Sequence, residues 1–546
     1  MPALDLNGKF TLHGARQPRL TGDLSFQMED STLAGRLLQG QGQVQLRTDR
    51  IVVPKLFLMA GDNRLDVHGE LSPADGQLFF TLSAPQLAQL CDGCRGAFQA
   101  TGNVRGSFQK PHLTMSWRGE KLQLQELIQA ENVQGSAMLV IHHEKSAWLG
   151  STIFDAVKLD ISGRNVKAAT RQLASFDAHV QFARQDNAPL MASLFAEGLK
   201  IQDRGIDQLS IDKISFSAKG TTAEHTLDAT LADANNRQQL ALQAKGSLHQ
   251  QSSASNWQGW SWDGLLTRLD ASGRISAQLD APATFAWSAQ HMKLNRLRIK
   301  SHDVFVHVDE IMRDANGFHS SGSLGNVSLA QILLFTRPNT MLTTDLQLNG
   351  EWDVRIADDI TGHIVIKRQS GDIVLRESTP IALGLRTFEA SAKAKNGQIA
   401  VRIAADGQQL GHINAQAKLA MDNRDRFAVS ENTPISGEIK IDTPSLAWLG
   451  SVFSNSVVTE GRLVGKVALS GSLDQPNFKG NISASDVRIL HLDSGLDMRQ
   501  GVLESELDGD TLRLKNLRFQ SKNGSIVASG IMQLSEKKPR ADILIK

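Results

Sequence analysis

The sequence predicts an all-β protein, built as a long, mainly antiparallel, repetitive sheet. Three observations lead there. Apolar and polar residues alternate with period two almost everywhere. Turn residues recur about every 10–12 residues, the spacing of many short antiparallel strands. The chain also repeats itself. Asp49 to Gly69, "DRIVVPKLFLMAGDNRLDVHG", aligns without a gap on Asp510 to Gly530, "DTLRLKNLRFQSKNGSIVASG", at a fixed offset of 461. Ile51 meets Leu512, Val53 meets Leu514, Leu56 meets Leu517, Leu58 meets Phe519, and Leu65 meets Ile526. Almost no charged side chain is shared, so what recurs is strand register and turn position.

The alternation is clear along the chain. "GQLFFTLSAP" groups Leu78, Phe80 and Leu82. "GRLVGKVALSG" places Leu463, Gly465, Val467 and Leu469 opposite Arg462, Lys466 and Ser470, and "GNISASDVRI" and "RADILIK" follow the same rule. The breaks are "GDN" at 61–63, "DG" at 92–93 and 508–509, "DNR" at 422–424 and "KNG" at 522–524. These residue types tolerate the positive φ of tight hairpin turns. Short Leu-Ala pieces, "APQLAQL" at Ala84 to Leu90, "TPSLAWL" at Thr443 to Leu449 and "NVSLAQILLF" at Asn326 to Phe335, read as helical turns closing a repeat. Ser83 or Thr443 is expected to cap the first turn. Pro111 and Pro476, in "GSFQKP" and "GSLDQP", stand where a strand begins.

Over 546 residues this spacing gives on the order of 40 strands. A twisted open sheet rarely exceeds about 10 strands, so this one has to curl. At about 4.8 Å per strand, an apolar face kept throughout makes a strip roughly 200 Å long. Repeats of this kind are expected over 1–130, 256–435 and 436–546, with a weaker pattern over 131–255.

Composition excludes several classes. With 58 Lys+Arg against 57 Asp+Glu the formal charge is +1, which argues against nucleic acid as a partner. Hydrophobic residues make up 41%, enough to bury a core. Tyr is absent, which leaves only 8 Trp to form the aromatic girdle of a membrane barrel. No apolar run approaches a membrane-spanning helix, and "MPALDLNGKF" lacks the basic start and apolar stretch of a signal peptide. Both ends fall inside or beside alternating patterns, so the chain is expected to be an internal piece of a longer one.

Candidate chemistry is sparse. Cys91 and Cys94, in "CDGC", are the only cysteines and lack a second ligand pair, so a local turn disulfide or a reduced pair is expected rather than zinc or redox catalysis. His142 and His143 are adjacent and point to opposite faces of a strand, which rules out joint chelation. "GQGQVQL" at Gly40 to Leu46 lacks the third glycine and following helix of a dinucleotide loop. "GFHSSGS" at Gly317 to Ser323 lacks the spacing of a nucleophile elbow. No carboxylate pair recurs at an acid/base spacing. Neither an enzyme, a cofactor nor a metal site is expected. "NWQGWSWDGLLTRLD" gathers Trp257, Trp260 and Trp262, which suits a packed strand pair or a sugar- or membrane-facing patch; packing is the expectation.

The refrain resembles the TamB group of AsmA-like proteins, the inner-membrane component of the translocation and assembly module. It is carried by Leu82 to Leu124, Asn256 to Asp270, Ser436 to Gly450, Glu460 to Ile489 and Leu496 to Gly530, a loose rhythm over most of the chain. The resemblance implies a sheet curled into a U-shaped elongated groove with an apolar interior. It implies a bridge across the periplasm, anchored in the inner membrane through an N-terminal segment outside this chain. It further implies carriage of phospholipid acyl chains between the two membranes, and an outer-membrane assembly partner of the TamA/BamA type. One parity of each strand is then expected to line the groove: Ile51, Val53, Leu65, Val67, Leu78, Phe80, Leu82, Leu463, Val467, Leu469, Leu512, Leu514, Ile526, Ile543 and Ile545. A bulge can switch that parity. The rival readings are a chaperone-like module using β-augmentation for outer-membrane or autotransporter proteins, and a secreted β-solenoid adhesin. The distances Pro85 to Pro111 and Pro444 to Pro476 differ, which disfavours a regular solenoid.

Overall fold

A computed structural model describes residues 4–15, 21–73, 76–107, 110–125, 127–143, 152–185, 187–203, 206–233, 237–250, 259–336, 342–375, 381–421, 430–449, 456–521, 524–533 and 540–546. Among them are 37 strands. The chain divides into two compact units, Met1–Gln290 and His291–Lys546. In each, strands pair antiparallel with their neighbours in chain order, as alternating apolar and polar residues joined by short turns dictate.

The first unit runs from Leu4–Asp5 to Ala283–Ser288. The weakly patterned region holds three of the four longest strands, Ile128–His143, Thr152–Ala168 and Ile206–Thr221. Their alternation is blurred in sequence because bulges interrupt it. Positive-φ positions recur across this stretch: Gly96 (φ 96) and Lys121 (φ 49) at a bulge between neighbouring strands, and Asn165 (φ 50) and Gly198 (φ 65) two and four strands further on. A Cβ on Gly96 would sit 2.4 Å from Lys121 O, one on Gly198 2.8 Å from Ala174 Cβ. The Asn165 amide donates to the Glu131 carboxylate. Each such departure from extended backbone bends its strand, as a bulge does, and together they crease the sheet. Phe182 and Trp260 meet edge-on with ring centroids 5.2 Å apart although four strands intervene. A flat sheet would hold strands that far apart by roughly 24 Å. The sheet therefore curls toward the face that carries these rings.

In the second unit the ladder passes over two insertions. Gly317–Ser328 pairs with Gln347–Ile356, and Ile360–Ser370 with Leu385–Lys395. The intervening chain forms the helix Leu329–Thr336 and a small sheet of Leu342–Thr344, Ile373–Leu375 and Ile381–Ala382. A second crease runs through Gly461 (φ 126), Asp486 (φ 53) and Gln500 (φ 51). The opening repeat ends in it. Register shifts fall between Val53 and Leu56 and, 461 residues on, between Leu514 and Leu517. The repeat thus encodes a bulge as well as two strands, and Pro54, which has no N–H to pair, stands inside the first.

The Leu-Ala pieces are helical: a 3-10 turn at Leu87–Gln89, the helix at Leu329–Thr336 and a turn at 447–449. Their expected caps are corrected. Leu87–Gln89 follows Gln86 and has no side-chain cap, while Ser83 is spent in the ladder opposite Arg64 and Gln99. At the later turn Ser445 Oγ, not Thr443, accepts from Ala447 N (3.3 Å). Thr443 Oγ1 donates to Gln409 O and Ser445 O instead. The turns at 61–62, 92–93 and 509–510 are as expected; those at 422–424 and 522–523 lie outside the described residues.

Candidate functional site

Directly paired residues of neighbouring strands project from the same face, so ladder pairs can be followed across a sheet. In the first unit one such line reads Phe10, Phe26, Gly42, Leu56, Val67, Phe80, Gly102, Met115, Ala137, Leu159, Val180, Ala192, Ala218, Leu227, Ala244, Leu266 and Ala283. It contains no polar side chain. Beside it runs Leu58, Leu65, Leu82, Ala100, Trp117, Gly135, Ile161, Ala178, Leu194, Phe216, Ala229, Leu242 and Leu269, again wholly apolar.

One residue away, on the opposite face, the line reads Asp66, Thr81, Thr101, Ser116, Ser136, Asp160, His179, Ser193, Ser217, Asp228, Gln243 and Arg268. Period-two alternation on every strand has summed into one apolar and one polar face.

The second unit repeats the design. Ile299, Val306, Leu324, Gly350, Ile366, Ala390, Ile403, Ala415, Ile439, Val467, Gly480, Leu507, Leu512, Met532 and Ala541 form an unbroken apolar row. The neighbouring row through Ile441, Gly465, Ile482, Ser505 and Leu514 admits one hydroxyl. Ser505 Oγ is silenced by donating to Ile482 O (3.0 Å).

All fifteen groove candidates stand on these apolar faces. Ile51, Val53, Leu65, Val67, Leu78, Phe80 and Leu82 share the face in the first unit. Leu463, Val467, Leu469, Leu512, Leu514, Ile526, Ile543 and Ile545 share it in the second. Sequence reasoning missed Leu56, Leu58, Leu517 and Phe519, which the bulges bring onto the same face; Pro54 was the signal for the first. It also passed over the facing glycines. A Cβ on Gly102 would stand 2.6 Å from the Phe80 ring, and one on Gly135 2.4 Å from Trp117. The rings lie across these glycines and keep the floor of the strip level.

The remaining candidates sort as follows. Cys91 and Cys94 are joined in a disulfide within a turn. His142 and His143 close the strand Ile128–His143, but their side chains, like Trp257, lie outside the described residues. Trp262 is packed: it is buried, Nε1 donates to His225 Nε2 at 2.7 Å, and its ring lies 5.7 Å from Phe285. His225 Nδ1 in turn donates to Thr221 O (2.9 Å), so this buried polar pair is fully satisfied.

Charge gathers on the other face. Arg488, aided by Arg499, holds the Asp497 carboxyl well below the usual carboxylate range. Lys293 and then His319 lower Glu310, Lys440 and Lys466 lower Glu438, and the His179 hydrogen bond lowers Asp160. The hollows lined by Lys9, Ser25, Gln43 and Lys55 (about 400 Å³) and by Arg118, Glu131, Arg164 and Asp177 (about 760 Å³) also open mainly among polar-face residues. Among the described residues no three His, Cys, Asp or Glu are placed to hold a metal ion.

These features define a class: an antiparallel β protein in which each of two units carries an apolar strip across its sheet. A family model described as TamB, N-terminal domain, matches residues 2–150 and 150–484. The chain belongs to the TamB family. Proteins of this family are anchored in the inner membrane, span the periplasm and serve the translocation and assembly module. No curated protein matches the chain. Among the described residues no helix is long and apolar enough to cross a membrane.

Proposed function

We propose that the apolar strip conducts phospholipid acyl chains across the periplasm between inner and outer membrane, as one part of a longer TamB-type protein that meets a TamA-like partner. The observation that carries this reading is the row of seventeen apolar residues in the first unit, matched by fifteen in the second. Each buried CH₂ of an acyl chain gains about 0.8 kcal/mol. A strip with the same chemistry at every strand offers no deep single trap, so chains can slide along it without nucleotide hydrolysis or a catalytic group.

The strip is also open. Ile364 and Ile403, both on it, keep 46% and 39% of their surface exposed. The test is transfer of labelled phospholipid between donor and acceptor vesicles. Val467→Glu or Leu514→Glu puts a charge into the lane and is expected to abolish transfer while the β circular-dichroism signal is retained. Unimpaired transfer with both charges in place sinks the reading. Crosslinking of unfolded outer-membrane peptides in place of lipid would favour the chaperone role.

A further inference from the structure

We infer that the leucine-bearing insertions of the second unit gauge the width of the strip, limiting how many acyl chains lie in it side by side. This rests on the lipid-conducting reading above. In the first unit four apolar rows run abreast, marked on one strand by Leu78, Phe80, Leu82 and Ala84. Successive rows are two residues apart, about 6.8 Å along the strand. The second unit starts from the same width, with Leu469, Val467, Gly465 and Leu463 on the strand Val457–Gly471.

There the insertions take part of it. Leu446 and Leu449 lie in one cluster with Leu463, Leu503 and Leu517, over the row nearest the margin. Leu346, Leu329 and Ile373 lie in another with Phe388 and Ile413, over the second row from the margin, and reach Ile366 in the third. All the insertions leave from strand ends at the same margin, after Gly317–Ser328, Ile360–Ser370 and Ile435–Thr443. What stays accessible is Ile364, in the fourth row, and Ile403, farther along the third. Beside the insertions the fourth row and part of the third remain free.

These leucines are fixtures of the sheet. Leu346 and Leu446 are 2% and 4% exposed. Leu329 N donates to Leu346 O (2.9 Å), Leu446 N donates to Gly461 O (2.9 Å), and Thr459 Oγ1 donates to Leu446 O (2.5 Å). An acyl chain seeking the same contacts has to bear the entropy cost of association, which a covalently tethered leucine does not. The insertions therefore exclude the extra chain.

The purified chain tests this by competition against a fluorescent two-chain phospholipid. Single-chain and two-chain lipids are expected to compete, and a six-chain glycolipid to compete at least about tenfold more weakly. Leu446→Ala with Leu449→Ala widens the margin and is expected to narrow that gap. Because those substitutions also weaken a core, Ala417→Trp supplies a second arm: Ala417 lies between Val401 and Gly437 in the row of Ile364, so the change adds bulk to an open row and removes no packing. It is expected to weaken two-chain binding about tenfold and to spare single-chain binding. A six-chain lipid competing as well as a two-chain one, or Ala417→Trp affecting both classes alike, overturns the gauge and leaves lipid carriage standing. Failure to bind any of the three lipids overturns lipid carriage, and the gauge with it.

Discussion

Gly96 shows how much a single residue decides. Its φ of 96 is a region where other residues are strained, and a Cβ there would run into the carbonyls of Glu120 and Lys121 at 2.5 and 2.4 Å. Gly96→Ala is expected to lower stability by about 1–2 kcal/mol in urea unfolding, and the strand Cys94–Ser107 to lose hydrogen-exchange protection. The buried pair of Trp262 and His225 is a second such point. Trp262→Phe keeps most of the apolar contact but orphans His225 Nε2, so a loss of about 1–3 kcal/mol is expected by the same measurement.

At the scale of elements, the insertions and the bulges do different work. Leu446 fills a site between Ala484, Val487 and Phe519. Leu446→Ala leaves a cavity and is expected to cost about 2–4 kcal/mol. Because the ladder contacts only its neighbours, the exchange protection lost should centre on Val457–Gly471 through Thr511–Ser521. Hydrogen-exchange mass spectrometry that finds the loss spread evenly over the whole second unit would refute this. The strands themselves were readable in the sequence wherever alternation ran unbroken, as at Leu78, Phe80 and Leu82. They were hard to read between 131 and 255, where positive-φ residues such as Asn165 and Gly198 interrupt the extended backbone and bulges after Val140 and Ile201 shift the register. The groove list was short for the same reason: Leu56 and Leu58 have the wrong parity for Val53 until the bulge at Pro54 is counted.

In both units the sheet has one apolar and one polar face, and the two respond to different conditions. The polar face holds Asp160, Glu310, Glu438 and Asp497, each lowered by a hydrogen-bonded cation or imidazole. A carboxyl lowered in the folded state stabilises above its unfolded pKa, and that contribution is lost as pH falls through the folded value. Melting temperature is therefore expected to hold above about pH 5, as far as these groups set it, and to drop below about pH 4, less steeply in high salt. A melting curve that rises on acidification would contradict these assignments. The apolar face should be indifferent to such changes, so the lipid binding proposed for it should not follow them per folded molecule.

The sequence by itself determined that the chain is all-β, that its strands meander between close turns, and that the stretch at 49–69 returns at 510–530. Alternation and turn chemistry are local properties, legible one strand at a time. Only the tertiary structure decided which parity is apolar after each bulge, that the separate stripes join into rows from strand to strand within each unit, and that Leu346 and Leu446 fold back over part of them. A bulge adds a single residue and turns all that follows to the other face, and the neighbouring strand alone records the turn.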